Sequence, residues 1–528
     1  MISILPTNLN IIETFIFGFV TYVLYYYYKY FTRPCPLPGP FPLPLIGNLH
    51  QYSGDDSASA KILQSIYGDM WEIYKGPIRT IWLARNDLFE KVFSPSTNSA
   101  FLIRAVSNSG LEEFNTTKIG MTFNSDLKEW SYNRKFMSKA IMSPNFIKQV
   151  VEGTQDIFEV MEKCWQNLFE NLGNDQIFNI HKWMLLATSE SIILLTTHKR
   201  AYSIIDYYNK LLPTKKFDIP IGALEESENY IASIRTYIRA MEFFFTTPKI
   251  IRILPGVRQY AQRLIKNRDL LYEYLKIIIQ ERRKEIEKTL DKDFLTSDLL
   301  TSFLTANTSL DISNVSDETH VEHMSDEQIC GNLIEVFAAG TDSVANSITF
   351  IIYYLAHYPK VKECVVKELE TVFGRDPNYR FSSDDLSKLR YCEAVIKEVS
   401  RIFPSAPTTF RTSTKPVEIG GHHFPANLQF FIYIEGANNH PQHWTDPNTF
   451  NPDRFLDGSN KVINTFGGGL RMCPGRNLSI IEILSFMVML YRKYDIELVN
   501  MNAPIRYNFN IIRQCVKMEA RIVPRKFE

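Results

Sequence analysis

The sequence lacks an excess of either charge. Its 528 residues include 58 Lys and Arg and 58 Asp and Glu, so the formal net charge is zero. A dedicated nucleic-acid binder normally carries a basic excess or stripe, and we therefore expect no nucleic-acid partner. Hydrophobic residues make up 45% of the chain, whereas a disordered chain has few apolar residues and a large charge imbalance. The composition therefore predicts a folded protein.

Cysteine is scarce and scattered, with seven residues and no CxxC pair. An odd, irregular set in a chain of this length predicts reduced thiols and no disulfide framework. After His50 the sequence also has no internal repeat, no linker long enough to separate domains, and no GxGxxG fingerprint between a strand and a helix. We therefore expect a single domain after His50. Because the thiols are expected to be reduced, one of them is a candidate for a chemical role.

Charge is almost absent from Ile11 to Tyr28, a stretch of eighteen residues that contains only Glu13. A helix needs roughly 17–25 apolar residues to cross a bilayer core, and the four consecutive tyrosines at its end suit the headgroup region. Lys29 and Arg33 follow, while no Lys or Arg precedes the stretch, which places the body on the cytoplasmic side. We expect residues 1–31 to form a transmembrane anchor, with an aromatic helix packed on the body as the alternative.

Six prolines alternate with other residues from Pro34 to Pro44. Each ring fixes φ and pushes the preceding residue out of the helical region, so residues 32–48 are expected to form a stiff, extended hinge. Its apolar side chains indicate that the hinge packs against the body; they are Phe41, Leu43, Leu45 and Ile46. Residues 49–528 are expected to form the remaining domain.

Helical periodicity dominates residues 125–405. Ser325 and Gln328 have the spacing of a capping box, and no proline follows until Pro359, which predicts a helix of 32 residues that ends at His357. The other expected elements are helices at 359–373, 389–403 and 477–493, strands at 417–421 and 428–434, irregular structure over 435–475, and a hairpin after residue 505. The expected fold class is mainly α with a small β part.

Cys473 lies in the segment FGGGLRMCPG, residues 466–475, where a run of three glycines, a fourth glycine and a proline predict a tight loop before a helix that begins near Arg476. The N–H groups of the loop and the positive end of the helix are expected to lower the pKa of the thiol. A thiolate can act as a nucleophile or as a metal ligand, and the nearest histidine in sequence, His443, is thirty residues away. A lone cysteine does not suit structural zinc, which needs four ligands. It does suit haem iron, whose porphyrin supplies four donors.

The same segment resembles the haem-binding signature F-x-x-G-x-R-x-C-x-G of the cytochrome P450 family, the haem-thiolate monooxygenases, and in particular their membrane-anchored eukaryotic microsomal type. The matching positions are Phe466, Gly469, Arg471, Cys473 and Gly475. The resemblance implies the cytochrome P450 fold, with Cys473 as the axial ligand of haem (iron protoporphyrin IX) and the other four positions in haem binding. Residues 49–528 would then be a haem-thiolate catalytic domain behind the anchor.

Two further segments resemble structural motifs of this family. Glu398 and Arg401 match its ExxR motif, and residues 452–455, Pro-Asp-Arg-Phe, resemble its PERF segment with Asp453 in place of Glu. The resemblance implies a cluster of Glu398, Arg401 and Arg454 that holds the loop presenting Cys473, in a supporting role around the metal site.

Three residues are expected at the haem propionates. Trp130 and Arg134 match the family's WxxxR motif, and an indole N–H and a planar guanidinium suit a carboxylate partner. Arg411, which follows the ExxR helix, is a further propionate candidate, with an ordinary surface arginine as the alternative.

Within the long helix, the segment AAGTDS, residues 338–343, resembles the family's oxygen-binding motif A-G-x-D/E-T. The resemblance implies that Asp342 and Ser343 are catalytic and relay protons to bound oxygen. Ser343 departs from the pattern, because serine keeps the hydroxyl of threonine but loses the methyl group that orients it. The alternative is a helix kink in which the hydroxyl bonds back to its own helix.

The resemblance implies a monooxygenase that inserts one oxygen atom from O2 into an apolar, lipid-like or xenobiotic substrate at the endoplasmic reticulum membrane. Electrons from NADPH would arrive through NADPH–cytochrome P450 reductase, with cytochrome b5 as a further donor, and Lys135, Lys139 and Arg471 are candidate reductase contacts. An isomerase or dehydratase that acts on peroxides, and a non-catalytic haem sensor, are the alternatives. The expected pocket residues name no substrate; they are Phe101, Leu102, Phe114, Met121, Phe123, Phe243, Phe244, Phe245 and Phe410.

Overall fold

A computed structural model describes residues 11–51, 55–104, 110–219, 227–288, 298–306, 308, 323–374, 376, 378–457 and 462–525. Within these ranges the α-helices are α1 (Ile11–Phe31), α2 (Asp56–Tyr67), α3 (Asn86–Phe89), α4 (Leu127–Ile141), α5 (Pro144–Leu172), α6 (Ile180–Thr197), α7 (Ser203–Leu211), α8 (Ser227–Thr246), α9 (Lys249–Arg252), α10 (Pro255–Glu287), α11 (Leu299–Thr305), α12 (Asp326–His357), α13 (Pro359–Phe373), α14 (Ser383–Leu386), α15 (Arg390–Ile402), α16 (Ile434–Asn438) and α17 (Arg476–Lys493).

The strands in the same ranges are β1 (Met70–Lys75), β2 (Ile78–Leu83), β3 (Phe178–Asn179), β4 (Thr408–Thr412), β5 (Val417–Ile419), β6 (His422–Phe424), β7 (Gln429–Tyr433), β8 (Tyr494–Leu498), β9 (Tyr507–Asn510), β10 (Ile512–Cys515) and β11 (Glu519–Pro524). The prediction of a mainly α fold with a small β part is confirmed.

Helix α12 is the central element of the fold. Its capping box forms as the spacing predicts, because the Ser325 side chain accepts from the Gln328 N–H and the Gln328 side chain accepts from the Ser325 N–H. The helix runs for 32 residues and contacts α6, α8, α10, α15 and α17. It therefore crosses the body, as its predicted length requires.

Two apolar clusters meet along α12. Apolar residues between 329 and 338 of the helix belong to a cluster built with α4, α8, α10 and α11. Residues 344–355 belong to a second cluster built with α5, α13, α15 and α17. The five residues between these stretches, 339–343, belong to neither cluster, so the point of change along the helix coincides with the predicted oxygen-binding motif.

The main sheet has the strand order β1-β2-β7-β4, in which β2 and β7 run parallel and the other pairs are antiparallel. The register places Trp82 beside Trp71 on one side and Phe431 on the other, and Phe431 beside Phe410. The rings of Trp71, Trp82 and Phe431 are stacked and Phe410 lies tilted against Phe431, which suits the aromatic enrichment of strands. The predicted C-terminal hairpin is present as β9 and β10, and β11 pairs with β8 and β3.

The N-terminal helix α1 lies where it was expected, and its last turns contact the body. Tyr26 is buried, the rings of Tyr26 and Tyr30 lie within 6.3 and 5.7 Å of Tyr74 in β1, and the Tyr22 hydroxyl accepts a hydrogen bond from the Leu45 N–H. No helix in the described part of the chain is both long and apolar enough to cross a membrane. The prediction of a transmembrane helix is therefore not confirmed.

The proline-rich hinge packs over β1, with Glu72 at the centre of the contact. Arg33 and Arg79 both pair with the Glu72 carboxylate, and the Glu72 N–H donates to the Pro38 carbonyl at 3.0 Å. Leu37 is buried. The expectation that other apolar side chains of the hinge anchor it is wrong, because these are exposed; they are Phe41, Leu43, Leu45 and Ile46. The hinge is held by its main chain, Leu37 and the ion pairs instead.

Candidate active site

The loop before α17 is closed tightly around Cys473. The Cys473 N–H donates to the Phe466 carbonyl at 2.9 Å, which joins the two ends of the loop. Gly469 has φ +65°, and a Cβ there would lie 2.6 Å from the Ser94 carbonyl oxygen. Only glycine can therefore occupy this position, because both the left-handed backbone and the close approach exclude a side chain.

Cys473 lines an internal cavity of about 360 Å³ between this loop and α12, and its accessible surface faces that cavity. Burial raises the pKa of the Cys473 thiol, while the Gly475 N–H and the charges of Arg134 and Arg104 act to lower it. The net direction is upward, so the expectation of a lowered pKa is wrong for the protein alone. The loop amide acts in the expected direction, but the loss of solvation outweighs it.

Arg411 lies on β4 at the edge of the cavity and is 1% exposed. Its Nη1 donates to the Phe410 carbonyl at 2.7 Å, while its buried Nη2 has no hydrogen-bond partner among the described residues. Burial and the neighbouring charges of Arg104 and Arg471 hold the pKa of Arg411 well below its ordinary value. The alternative of an ordinary surface arginine is therefore wrong.

Arg471 is also buried, with its guanidinium 4.0 Å from the centre of the Trp130 ring. Its three nitrogens donate to the carbonyl oxygens of Leu102, Met121 and Asn124 at 2.8 to 2.9 Å. Burial, reinforced by the charge of Arg104, lowers the pKa of Arg471 to about 8. A reductase cannot reach this buried side chain directly, so the prediction that Arg471 is a surface contact is wrong.

Arg104 completes this group, although no motif in the sequence points to it. Arg104 lines the cavity, its Nη2 donates to the Arg471 carbonyl at 3.2 Å, and its buried Nε has no partner in the ranges described. Arg134 is half-buried on α4 and has neither a hydrogen bond nor an ion pair to any described residue. Both arginines lie near enough to Cys473 to lower the pKa of its thiol.

These four arginines fit an anionic ligand. A buried guanidinium without a counter-charge costs several kcal/mol, and here buried nitrogens of Arg104 and Arg411 remain without acceptors. Haem carries two propionate groups, which would supply two negative charges and four acceptor oxygens. The Cys473 thiol, which faces α12 across an apolar cavity, can supply a sulfur ligand to the haem iron, whose other four donors come from the porphyrin.

Asp342 and Ser343 occupy different faces of α12. Ser343 lines the cavity, and its hydroxyl donates back to the Ala339 carbonyl at 2.6 Å. Asp342 is completely buried behind this wall, 3.2 Å from Arg235 Nη2, and accepts from Gln514 Nε2 at 2.9 Å. Burial raises the pKa of Asp342. The structure therefore brings only the serine to the cavity.

Gly340 lets α6 approach the same stretch of α12. A Cβ at this position would lie 2.8 Å from Ile192 Cγ1, so any larger residue would push the two helices apart. Ala339, Gly340 and Ser343 together form the wall of the cavity opposite Cys473.

Glu398, Arg401 and Arg454 form one buried cluster. Arg401 Nε and Nη2 donate to the two oxygens of Glu398 at 2.8 and 2.9 Å, and Arg454 Nε donates to Glu398 Oε1 at 3.0 Å. The arginines also donate to carbonyl oxygens of residues 438, 445, 446 and 449. The cluster thus ties α15 to the irregular segment that precedes the cysteine loop.

The aromatic residues expected in the substrate pocket lie elsewhere. Phe123, Phe245 and Phe410 stack on one another with ring centres 4.5 to 5.9 Å apart, and Phe114 stacks on Phe244 in the apolar cluster. Not one of the nine expected pocket residues lines the cavity formed by the described residues. Parts of the expected pocket segments, 105–109 and 220–226, lie outside those residues.

Comparisons with known proteins agree with this geometry. The family model described as Cytochrome P450 matches residues 37–518. A (+)-vincadifformine 19-hydroxylase from Catharanthus roseus is 24% identical and covers 85% of this chain and 84% of its own. Cytochrome P450 2B3 from Rattus norvegicus is 25% identical and covers 86% of each chain. A mitochondrial sterol 26-hydroxylase from Mus musculus is 24% identical and covers 82% of this chain and 77% of its own.

Proposed function

Because this chain belongs to the cytochrome P450 family, and is therefore a haem-dependent monooxygenase, we propose that its substrate is an apolar small molecule and that NADPH supplies the electrons through a separate reductase. The observation that carries the proposal is the mainly apolar cavity between Cys473 and α12, with unpartnered arginine nitrogens at its edge. Apolar walls select poorly among ligands, so the proposal extends to the class of substrate only.

The haem, when bound, activates O2 so that one oxygen atom enters the substrate and the other leaves as water. Cys473 would ligate the iron, and Arg104, Arg134, Arg411 and Arg471 would bind the propionates. Trp130 supports Arg471 by stacking on its guanidinium at 4.0 Å. Phe466, Gly469 and Gly475 shape the loop that presents the sulfur. Glu398, Arg401 and Arg454 hold the segment that precedes this loop.

Two residues of α12 are proposed to handle protons. Ser343 Oγ lies on the cavity wall with its single proton donated to the Ala339 carbonyl. To donate a proton toward the cavity, the hydroxyl would first release that hydrogen bond. Asp342 lies behind the wall with Arg235 and Gln514. Burial raises the pKa of Asp342, while Arg235 and the Gln514 hydrogen bond act to lower it. Asp342 is the proposed source of protons behind the wall and Ser343 the proposed donor at the cavity.

We also propose that α1 attaches the protein to the endoplasmic reticulum membrane, with the body on the cytoplasmic side. Phe15 and Phe17 are 76% and 72% exposed on the first turns of the helix. A second apolar surface lies after α8, near Gly76, and is formed by Ile250, Ile251, Ile253 and Leu254. Exposed apolar residues of this kind suit an interface with lipid. If the proposal holds, removal of residues 1–32 weakens sedimentation with phospholipid vesicles while haem content is preserved.

The proposed function is tested with purified protein, NADPH–cytochrome P450 reductase and phospholipid vesicles. We expect O2 consumption that requires NADPH and reductase, and one labelled oxygen atom from ¹⁸O2 in the product of an apolar compound; addition of cytochrome b5 tests the further donor. Conversion of a lipid hydroperoxide without reductase or NADPH would instead support an isomerase or dehydratase. A haem protein that converts neither kind of compound would support a sensor.

A further inference from the structure

Glu335 is a buried carboxylate on α12, one turn before Ala339 of the cavity wall. Its Oε2 accepts two main-chain hydrogen bonds, from the Met121 N–H at 2.6 Å and from the Thr122 N–H at 2.9 Å. These amides belong to a loop, residues 119–124, that leads into α4. The contact therefore joins α12 to a segment far from it in sequence.

The surface of α12 is shaped for this loop. Gly120 has φ +73°, and a Cβ there would lie 2.5 Å from the carboxyl carbon of Glu335. One turn earlier on α12, a Cβ at Gly331 would lie 2.1 Å from Ile119 Cγ2. Two glycines thus permit a fit that any side chain would prevent, and the carboxylate occupies the centre of the contact.

The same loop faces the arginines with its carbonyl groups. Met121 and Asn124 accept from Arg471 at 2.8 and 2.9 Å, and Thr122 accepts from Arg104 at 3.4 Å. The amides of the loop therefore bind α12 while its carbonyls bind the cationic side of the cavity. A displacement of the loop from α12 would move the acceptors that orient both guanidinium groups.

The Glu335 charge acts on these arginines as well. When ionised, Glu335 opposes the effect of burial on Arg104 and Arg471 and raises the pKa of each toward its ordinary value. Burial raises the pKa of Glu335 itself, while the hydrogen bonds from Met121 and Thr122 and the charge of Arg104 act to lower it. The second oxygen, Oε1, has no hydrogen-bond partner in the part of the chain that the structure describes. Glu335 is the anionic group that shifts the pKa values of both Arg104 and Arg471. The other charge that acts on both, Arg134, is cationic.

We propose that Glu335 is a positioning residue that fixes loop 119–124 on α12 and thereby sets where Arg104 and Arg471 present their charge to the haem propionates. The proposal rests on the haem site described above. It adds a carboxylate that touches neither haem nor substrate and acts through the loop and the two arginines.

The test compares Glu335→Gln and Glu335→Ala in the full-length, haem-loaded protein, with Glu327→Gln as the matched control. Glu327 lies on the same helix, is exposed, and bonds Asn115 of the preceding segment at 2.9 Å. Glutamine keeps an oxygen for both amides but loses the charge, whereas alanine loses both. Three quantities are measured: hydrogen exchange at the Met121 and Thr122 amides, the rate of haem loss, and the reduction potential of the haem iron.

We expect Glu335→Ala to speed exchange at both amides by about tenfold or more and to accelerate haem loss. Glu335→Gln should largely restore both quantities, and the control should leave them unchanged. The potential should become more positive in both Glu335 variants, because each removes a negative charge beside the arginines, and should not shift in the control.

Unchanged exchange and unchanged haem loss in Glu335→Ala would overturn the proposal. If that variant does not fold, an unshifted potential in Glu335→Gln overturns it instead. Failure of the haem site itself is recognised separately, because the unmutated protein would then lack the carbon monoxide spectrum of a thiolate-ligated haem.

Discussion

Arg401 and Arg411 are ten residues apart in sequence and equally buried, at 0% and 1% exposure, yet their surroundings differ. Every guanidinium nitrogen of Arg401 has an acceptor, and two of these acceptors are the oxygens of Glu398. Among the described residues, Arg411 has carbonyl and hydroxyl acceptors for Nη1 only, and its charged neighbours are Arg104 and Arg471. One cluster is closed and compensated, while the other is open and cationic.

This difference in surroundings indicates that the Arg401 cluster stabilises the fold, whereas the Arg411 cluster binds a ligand. A buried charge with its partner can serve the fold alone, whereas a buried charge without one is stable only with a ligand that supplies the partner. The closed cluster lies behind the cysteine loop, and the open cluster lies at the cavity. Variants in the two clusters should therefore fail in different ways.

Breaking the closed cluster should have the largest effect. Arg401→Ala leaves Glu398 buried without its main partner, which should lower the free energy of unfolding by roughly 3–5 kcal/mol and yield little haem-loaded protein. Urea unfolding measures this loss. Arg380→Ala is the control, because its pairs with Asp156 and Glu159 are half-exposed and should contribute about 1 kcal/mol or less. An Arg401→Ala protein that is as stable as the unmutated one, but slow in turnover, would contradict the structural assignment.

Removing a charge from the open, cationic cluster should weaken haem binding and should not destabilise the fold. If Arg411 binds a propionate as proposed, Arg411→Gln removes one charge-assisted hydrogen bond worth about 1.5–3 kcal/mol, so haem should leave roughly ten- to a hundredfold faster. The loss is followed by transfer of haem from the loaded protein to a haem-scavenging protein. Arg380→Ala should not change this rate. A variant that unfolds like Arg401→Ala while its haem stays bound would erase the distinction between the clusters.

Glu482 on α17 is an uncompensated buried acid in the same open region. It lines the cavity, its Oε1 has no partner among the residues described, and burial raises its pKa from 4.5 to about 8. Because the folded state holds the proton more tightly, this contribution to stability is complete below pH 4.5 and is lost as the pH rises to about 8.

Glu482→Gln keeps the shape of the side chain and removes the titration. Relative to this variant, the unmutated protein should lose about 1.4 kcal/mol of unfolding free energy per pH unit up to about pH 8, and little more above it. Urea unfolding of both proteins at pH 6, 7, 8 and 9 tests this. A difference between them that does not depend on pH would show that Glu482 does not titrate in this range.

Ser343→Ala should give the smallest effect, and we expect it only on coupling, the amount of product formed per NADPH consumed. General acid assistance is worth about 10²–10⁴-fold, and we expect less here because water can replace the hydroxyl. Product formed per NADPH should fall and hydrogen peroxide should rise, with unchanged haem spectra, while Ser343→Thr should preserve coupling. Unchanged coupling in the alanine variant would remove Ser343 from the proton route and leave Asp342.

Local signals predicted much of this arrangement. The capping box at Ser325 and the proline at 359 defined α12 because helix ends depend on nearby residues. The i,i+3 spacing of Glu398 and Arg401 placed both side chains on one face of α15. The transmembrane helix and the aromatic pocket, which rested on composition and on analogy, were not confirmed.

Other features depend on tertiary contacts that no short motif records. Arg104 and Glu335 both bind loop 119–124, and this link exists only because the loop lies on α12. The separation of Asp342 from Ser343 could have been predicted, since residues 339, 343 and 347 share a helix face and 342 lies about 100° away. The raised pKa of Cys473 could not, because it depends on the loss of solvation that the folded chain imposes on the thiol.

The carbon monoxide spectrum of the reduced protein tests most directly whether Cys473 is the iron ligand. The unmutated protein and Cys364→Ser, which changes an exposed cysteine on α13, should both show the long-wavelength Soret band that thiolate ligation produces. Cys473→Ser should lose that band. A Cys473→Ser protein that keeps the band would contradict the assignment of the ligand, and with it the proposed site.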